Sequence, residues 1–314
     1  EKYKKPFDST CLEKSTYYLY SAARFGFPQA QYKLGSQLYQ NFCLPNRKND
    51  AIMLLTYAAN KNHPKAQYYI GMINLEGIYM PKNINKAIEY LTKSANQNYD
   101  KAQFILGDLY YKGVCVQQDI DKSIYYLSLS AKQNNSSAQY TLGFMHEDGV
   151  YVPHDINTAL KYYHLAADNN LPSAQNTLGN IYSEGKYVPK NIQKAIHYYK
   201  LSISFHNLNA LCNLGNLYYN NHKIDKAIHY YTIAANKNVS KAQNMLGIIY
   251  LKGIEVKRDI YKSIRYFTLA ASQNNPHSQF NLGYIYDHGI DVKKDFNKAL
   301  YYYTLSANQF NTDA

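Results

Sequence analysis

The residues of this chain that could do chemistry are two histidine–carboxylate clusters and four thiols. His146-Glu147-Asp148 and Asp287-His288 offer the side-chain types of a metal site or of an acid–base pair. Consecutive residues on a helix point in different directions, so these clusters cannot converge on one ion and read as exposed helix ends. Cys11, Cys43, Cys115 and Cys212 show no CxxC spacing. Cys43 and Cys115 share a repeat position two units apart, about 20 Å at about 10 Å per layer. A disulfide needs Cα atoms within about 7 Å, so these two do not pair. Free thiols fit a reducing compartment and place the chain in the cytoplasm ahead of the endoplasmic-reticulum lumen. The HExxH, GxxxxGK[ST] and GxSxG signatures are absent. The sequence therefore reads as no enzyme, with no cofactor and no metal site.

The elements that would position any site come from a repeat. Leu-Gly or Ile-Gly returns at Gly35, Gly71, Gly107, Gly143, Gly179, Gly215, Gly247 and Gly283. Six of the seven intervals are 36 residues, and Gly215 to Gly247 is 32. A fixed period of this size marks stacked supersecondary units instead of one globular core. In one unit Ala102, Leu106, Gly107 and Tyr110 share a helical face, and Gly113 ends the helix. Asp119 can cap a second helix carrying Ser123, Tyr126, Leu127, Ser130 and Ala131 on one stripe. The same small-residue and tyrosine columns recur along the chain, small residues letting helices approach and rings filling the wider gaps.

The pattern A-x-Q-x-x-L-G-x-x-Y-x-x-G-x-x-V-x-x-D-x-x-K-A-x-x-Y-Y-x-x-A-A resembles that of the SEL-one-like repeat family, relatives of the tetratricopeptide repeats. Ala102, Gln103, Leu106, Gly107, Tyr110, Gly113, Val116, Asp119, Lys122, Tyr126 and Ala131 carry the match in one copy. The resemblance implies an all-α fold: a right-handed superhelical solenoid of antiparallel helix pairs, serving as an adaptor for other proteins. The expected organisation is a single array over residues 1–314. It has a leading second-type helix at 10–25 and eight helix pairs over 28–314. Solenoids close with polar caps, and the bare edges here suggest that the native protein extends at least beyond the N-terminal edge. A shortened unit around 203–227 has Leu211 in place of the glutamine and Asn221 in place of the terminating glycine. It is either drift in a tolerant loop or a change of pitch that shapes a pocket.

Function then falls to the exposed face of the first helices. The position after each repeat glycine, and the one four residues further on, vary freely and share a face. From these columns come the groove candidates Met72, Asp108, Lys112, Phe144, Asp148, Asn180, Glu184, Asn216, Ile248, Tyr284 and His288. Met72, Phe144, Ile248 and Tyr284 are read as exposed apolar anchors. A formal net charge of +12 favours acidic partners. A basic edge in and after the connectors includes Lys190, Lys257, Arg258, Lys293 and Lys294, with Lys122, Lys194, Lys262 and Lys298 beside them. The expected function is a non-catalytic scaffold that holds protein partners, including acidic segments, in a concave groove. Nucleic acid is disfavoured, because the variable columns hold too many acidic and aliphatic residues for a base-reading code. No apolar run is long enough to span a bilayer. Two alternatives remain: an adaptor in endoplasmic-reticulum quality control, which the sequons at Asn134, Asn135 and Asn238 would permit, or a regulatory array attached to a kinase-like domain.

Overall fold

A computed structural model describes residues 9–40 and 48–310, with side chains from Tyr17 to Gln309. The described residues form seventeen α-helices, in two compact units that divide between Asn169 and Asn170. In the first unit α1 (Ser9–Arg24) precedes the pairs α2 (Pro28–Gln40) and α3 (Lys48–Asn60), α4 (Pro64–Glu76) and α5 (Ile84–Asn96), α6 (Asp100–Lys112) and α7 (Ile120–Lys132), and α8 (Ser136–Asp148) and α9 (Ile156–Asp168). The second unit holds α10 (Pro172–Glu184) and α11 (Ile192–Ser204), α12 (Leu208–Asn220) and α13 (Ile224–Asn236), α14 (Ser240–Lys252) and α15 (Ile260–Ala271), and α16 (Pro276–His288) and α17 (Phe296–Phe310). Each helix packs on the next in sequence within its unit.

From α4 onwards each first helix stops where a residue must turn left-handed. Gly113 takes φ 63° and returns its N–H to the Leu109 carbonyl, an ending that a side chain would strain. Second helices end differently, on an asparagine, or on His206 after α11. Asn98 takes φ 62°, its N–H reaches the Ala95 carbonyl, and the Tyr99 N–H reaches Ser94. Asparagine tolerates this conformation better than most residues. The next second helix is opened by a carboxylate or carboxamide, as where Asp119 accepts from the Lys122 N–H at 3.0 Å.

The repeat glycines serve close contact. A Cβ on Gly107 would lie 2.7 Å from Leu127 Cγ, and one on Gly179 would lie 2.5 Å from the Tyr199 ring. A polar ladder runs beside this apolar core. The buried Gln103 amide donates to the Ala95 carbonyl of the preceding repeat at 3.2 Å, and Gln133 donates to the Gln103 carbonyl at 2.7 Å. Gln67 with Gln97, and Gln243 with Gln273, repeat this bridge. Buried amides need such partners, so the glutamine column joins successive pairs.

The shortened unit ends its first helix as second helices do. His222 takes φ 55°, and the Lys223 N–H bonds back to the Tyr218 carbonyl at 2.9 Å. The left-handed residue is therefore His222, one past the Asn221 expected from the glycine column. This tight ending delivers the chain straight to α13, whose N-cap residue Lys223 makes no side-chain capping bond. Leu211, where other repeats carry glutamine, is buried.

Candidate interaction surface

Packing of the repeat glycine turns one face of the first helices inwards, and the position after it is exposed at Phe144, Asn216 and Tyr284, half-buried at Asp108 and Asn180, and buried at Ser36. Phe144 is 43 % exposed and Tyr284 is 41 % exposed, and Asp148, Glu184, Asn216, Lys112 and His288 also reach solvent. Met72 and Ile248 depart from the expectation of exposure. Both are half-buried, and Ile248 packs against the cluster of Ile260, Phe267, Ala271, Leu282 and Ile285. An aliphatic side chain in this column lies down on the neighbouring repeat.

Several of the sequence candidates come together. Lys112 pairs with Asp108 at 2.8 Å. Tyr284 and His288 pack with ring centres 4.2 Å apart. In the second unit Asn180, Glu184 and Asn216 line one cleft of about 270 Å³, joined by Lys190 from the basic edge. A second cleft of about 490 Å³ adds Asn176, Asn209, Asn213 and Asn244. The column comparison missed Asn176, Asn213 and Asn244. A detectable signal was present on α12, where Asn209, Asn213, Asn216 and Asn220 follow the i, i+4, i+7, i+11 spacing of a single helical face.

Part of the basic edge also makes contacts within the chain. Lys122, Lys194, Lys262 and Lys298 place their ammonium groups 4.9–5.2 Å from the ring centres of Tyr110, Tyr182, Tyr250 and Tyr286. Behind each ring a second-helix tyrosine stacks almost parallel, as Tyr126 does on Tyr110 and Tyr198 on Tyr182. Lysine, tyrosine and tyrosine thus form a cation–π column in the α6/α7, α10/α11, α14/α15 and α16/α17 pairs, tying the two helices together. Arg258 is paired with Asp291 at 2.8 Å. Lys190, Lys257, Lys293 and Lys294 are exposed.

Members of the titratable clusters make contacts within the chain, although the buried His146 Nδ1 has no hydrogen-bond partner among the described residues. Glu147 accepts from the Tyr163 hydroxyl at 2.6 Å, His146 stacks on Tyr162, and His288 Nδ1 lies 3.1 Å from the Tyr284 carbonyl. Among the described residues no group of three His, Cys, Asp or Glu side chains is placed to hold a metal. Cys115 is exposed and Cys212 buried, burial pushing the Cys212 thiol pKa up. Cys43 lies outside the described residues, as does the Cys11 side chain. Of the sequon asparagines, Asn134 and Asn238 are exposed, while the Asn135 amide nitrogen donates to Asp100 at 2.9 Å. No helix among the described residues is long and apolar enough to cross a membrane.

Fold and surface together define a class, the all-α solenoid of helix pairs. Within that class the chain belongs to the Sel1 repeat family. The Sel1 repeat model matches residues 28–63, 64–99, 100–135, 136–171, 172–204, 208–239, 240–275 and 276–309. Among solved structures, a protective antigen of uropathogenic Escherichia coli strains with an SLR fold is 27 % identical with a TM-score of 0.80. That match covers 93 % of this chain and 63 % of the antigen, so the chain spans less than two thirds of its relative. A Sel1 repeat protein from Oxalobacter formigenes is 25 % identical with a TM-score of 0.68, covering 95 % of this chain and 87 % of that one. No curated protein matches the chain. Sel1 repeat proteins are generally protein-interaction scaffolds, and their solenoid is typically non-catalytic.

Proposed function

We propose that this chain is a scaffold that binds partner proteins on the outward face of its first helices, without making or breaking a bond. One observation carries the reading. Across the repeats the positions that touch a neighbouring helix keep their type, while the position after the glycine runs from Ser36 through Asp108 and Phe144 to Tyr284. Two large aromatic side chains, Phe144 and Tyr284, stand in solvent in this column and are available as anchors for a partner. The lysines outside the cation–π columns, Lys190 among them, give acidic segments of a partner a salt-sensitive attraction.

The test is affinity capture from native extract with the parent chain and with a Phe144→Asp/Tyr284→Asp variant, one change in each unit. Both side chains are exposed, so circular dichroism should show unchanged helicity. Proteins retained by the parent and lost by the variant, and then shown to bind the purified parent directly, support the reading. Equal recovery by both proteins removes the first-helix face as the site.

A further inference from the structure

The first helix pair breaks a column that most later pairs keep. In α6/α7, α10/α11, α12/α13, α14/α15 and α16/α17 a lysine sits over a first-helix tyrosine, with a second-helix tyrosine stacked behind it. The same three positions in α2/α3 are Asp50, Leu38 and Leu54. The second-helix position is tyrosine in every later pair, from Tyr90 to Tyr302. The lysine position is acidic at Asp50 alone, its other members being Lys86, Thr158 and the five lysines of the columns. This pair therefore lacks two aromatic rings and a cation together, and holds an anion in the cation's place.

The three replacements meet in one cleft. Asp50, Leu38 and Leu54 line a space of about 510 Å³ between α1, α2 and α3, with Tyr17, Met53 and Tyr57 as further walls. Asp50 is exposed and has no ion pair among the described residues. Gln31 also lines the cleft and is only 8 % exposed. Its amide donates to the Ala23 carbonyl at 3.2 Å, and its Oε1 has no hydrogen-bond partner among the described residues. In later repeats that oxygen accepts from Gln97 or Gln133, and the residue of this column here is Lys61. Gln31 and Leu38 are seven residues apart on α2, about 10 Å along the helix.

The cleft thus offers a carboxylate at one end, apolar walls, and an unmet acceptor about 10 Å away. Its volume is that of a small-molecule site, commonly about 300–1,000 Å³. A phosphate or another anion would meet the Asp50 carboxylate. The cation of the cleft, Arg24, falls in the Asn60 column, ten residues or about 15 Å along the helices from Asp50. A purely apolar ligand would leave both Asp50 and Gln31 without a partner. We infer that the α1–α2–α3 cleft binds a small protonated aromatic amine, its ring beside Leu38 and Leu54 and its ammonium on the Asp50 carboxylate. The ligand supplies in trans the ring and the cation that later repeats carry as tyrosine and lysine. This site lies apart from Phe144 and Tyr284 and goes beyond the scaffold reading.

The experiment is isothermal titration calorimetry of the whole chain with tyramine, a phenol ring and an ammonium at opposite ends of a short chain. Two analogues keep the ring and change the charge: 4-ethylphenol is neutral and 3-(4-hydroxyphenyl)propionate is an anion. Tyramine should bind with a Kd of about 1 mM or tighter, and each analogue about tenfold more weakly or worse. Asp50→Asn, an exposed change, should weaken tyramine binding by about tenfold, the loss of one charge-assisted hydrogen bond. The triple variant Leu38→Tyr/Leu54→Tyr/Asp50→Lys rebuilds the column of the later pairs and should bind no tyramine while circular dichroism shows it folded. Should the triple variant fail to fold, Asp50→Lys alone should abolish binding. No binding by the parent, equal binding of the neutral or anionic analogue, or parental binding by Asp50→Asn or by a folded triple variant overturns the inference. Partners captured from extract through Phe144 and Tyr284 would leave the scaffold reading standing in any of those cases.

Discussion

At Gly179 the space for a methyl group is already occupied by the Tyr199 ring, 2.5 Å from where a Cβ would lie. Gly179→Ala should destabilise the protein by about 1–3 kcal/mol in urea unfolding, and by clearly less in a Tyr199→Ala background. The glycine was legible from its period, but the residue it touches was not, since that contact spans two helices. The same holds for Gln103. Its column is visible in the repeat, yet only the folded chain shows the amide reaching back to Ala95. A second prediction concerns pH. The N–H groups of Lys122, Lys262 and Lys298 hold the Asp119, Asp259 and Asp295 carboxyls below their usual range, and the Thr158 hydroxyl and N–H do so for Asp155. A depressed folded-state pKa stabilises above the unfolded value, about 3.9, and that stability is lost as pH falls through the folded value. The thermal midpoint should therefore drop below about pH 4. Changing these four residues to Asn, the capping type already present at Asn83 and Asn191, should shrink that drop.

At the scale of one element, the shortened unit shows how a deletion of four residues is absorbed. The connector disappears because α12 closes on His222 in the left-handed region, and the Lys223 N–H completes the ending. A β-carbon is strained there, so His222→Gly should stabilise by about 0.5–1 kcal/mol, with His222→Asn in between. Differential scanning calorimetry of the three proteins checks the order. Alignment of columns placed Asn221 under the glycines and so missed the left-handed residue by one. Periodicity records which position is replaced; the hydrogen bonds of the helix end decide where the chain turns. The ring contacts of the basic edge were likewise not legible, because Lys122, Lys194, Lys262 and Lys298 reach first-helix rings that lie a dozen residues earlier.

At the scale of the molecule, stability is distributed over nearest-neighbour contacts, because each helix packs on those adjacent to it in sequence. Gly71→Ala, which would press on Leu91 at 2.7 Å, should lower hydrogen-exchange protection in α3 to α6 and leave α8 and α9 at parental values. A uniform loss through the first unit would instead mean one cooperative core. The sequence alone determined the helix pairs, their period, their capping residues and the family, since all of these depend on contacts within about one repeat and are written as columns. It also separated a conserved-type inner face from a variable outer one. Tertiary structure alone decided which variable residues lie down on a neighbour, as Ile248 does, and which lysines belong to tyrosine rings. It alone gathered Asn176, Asn180, Asn213, Asn216 and Asn244 into neighbouring clefts, because these residues come from three helices and from different columns. Side-chain hydrogen bonds between repeats, which no single period encodes, fix the direction in which those carboxamides face.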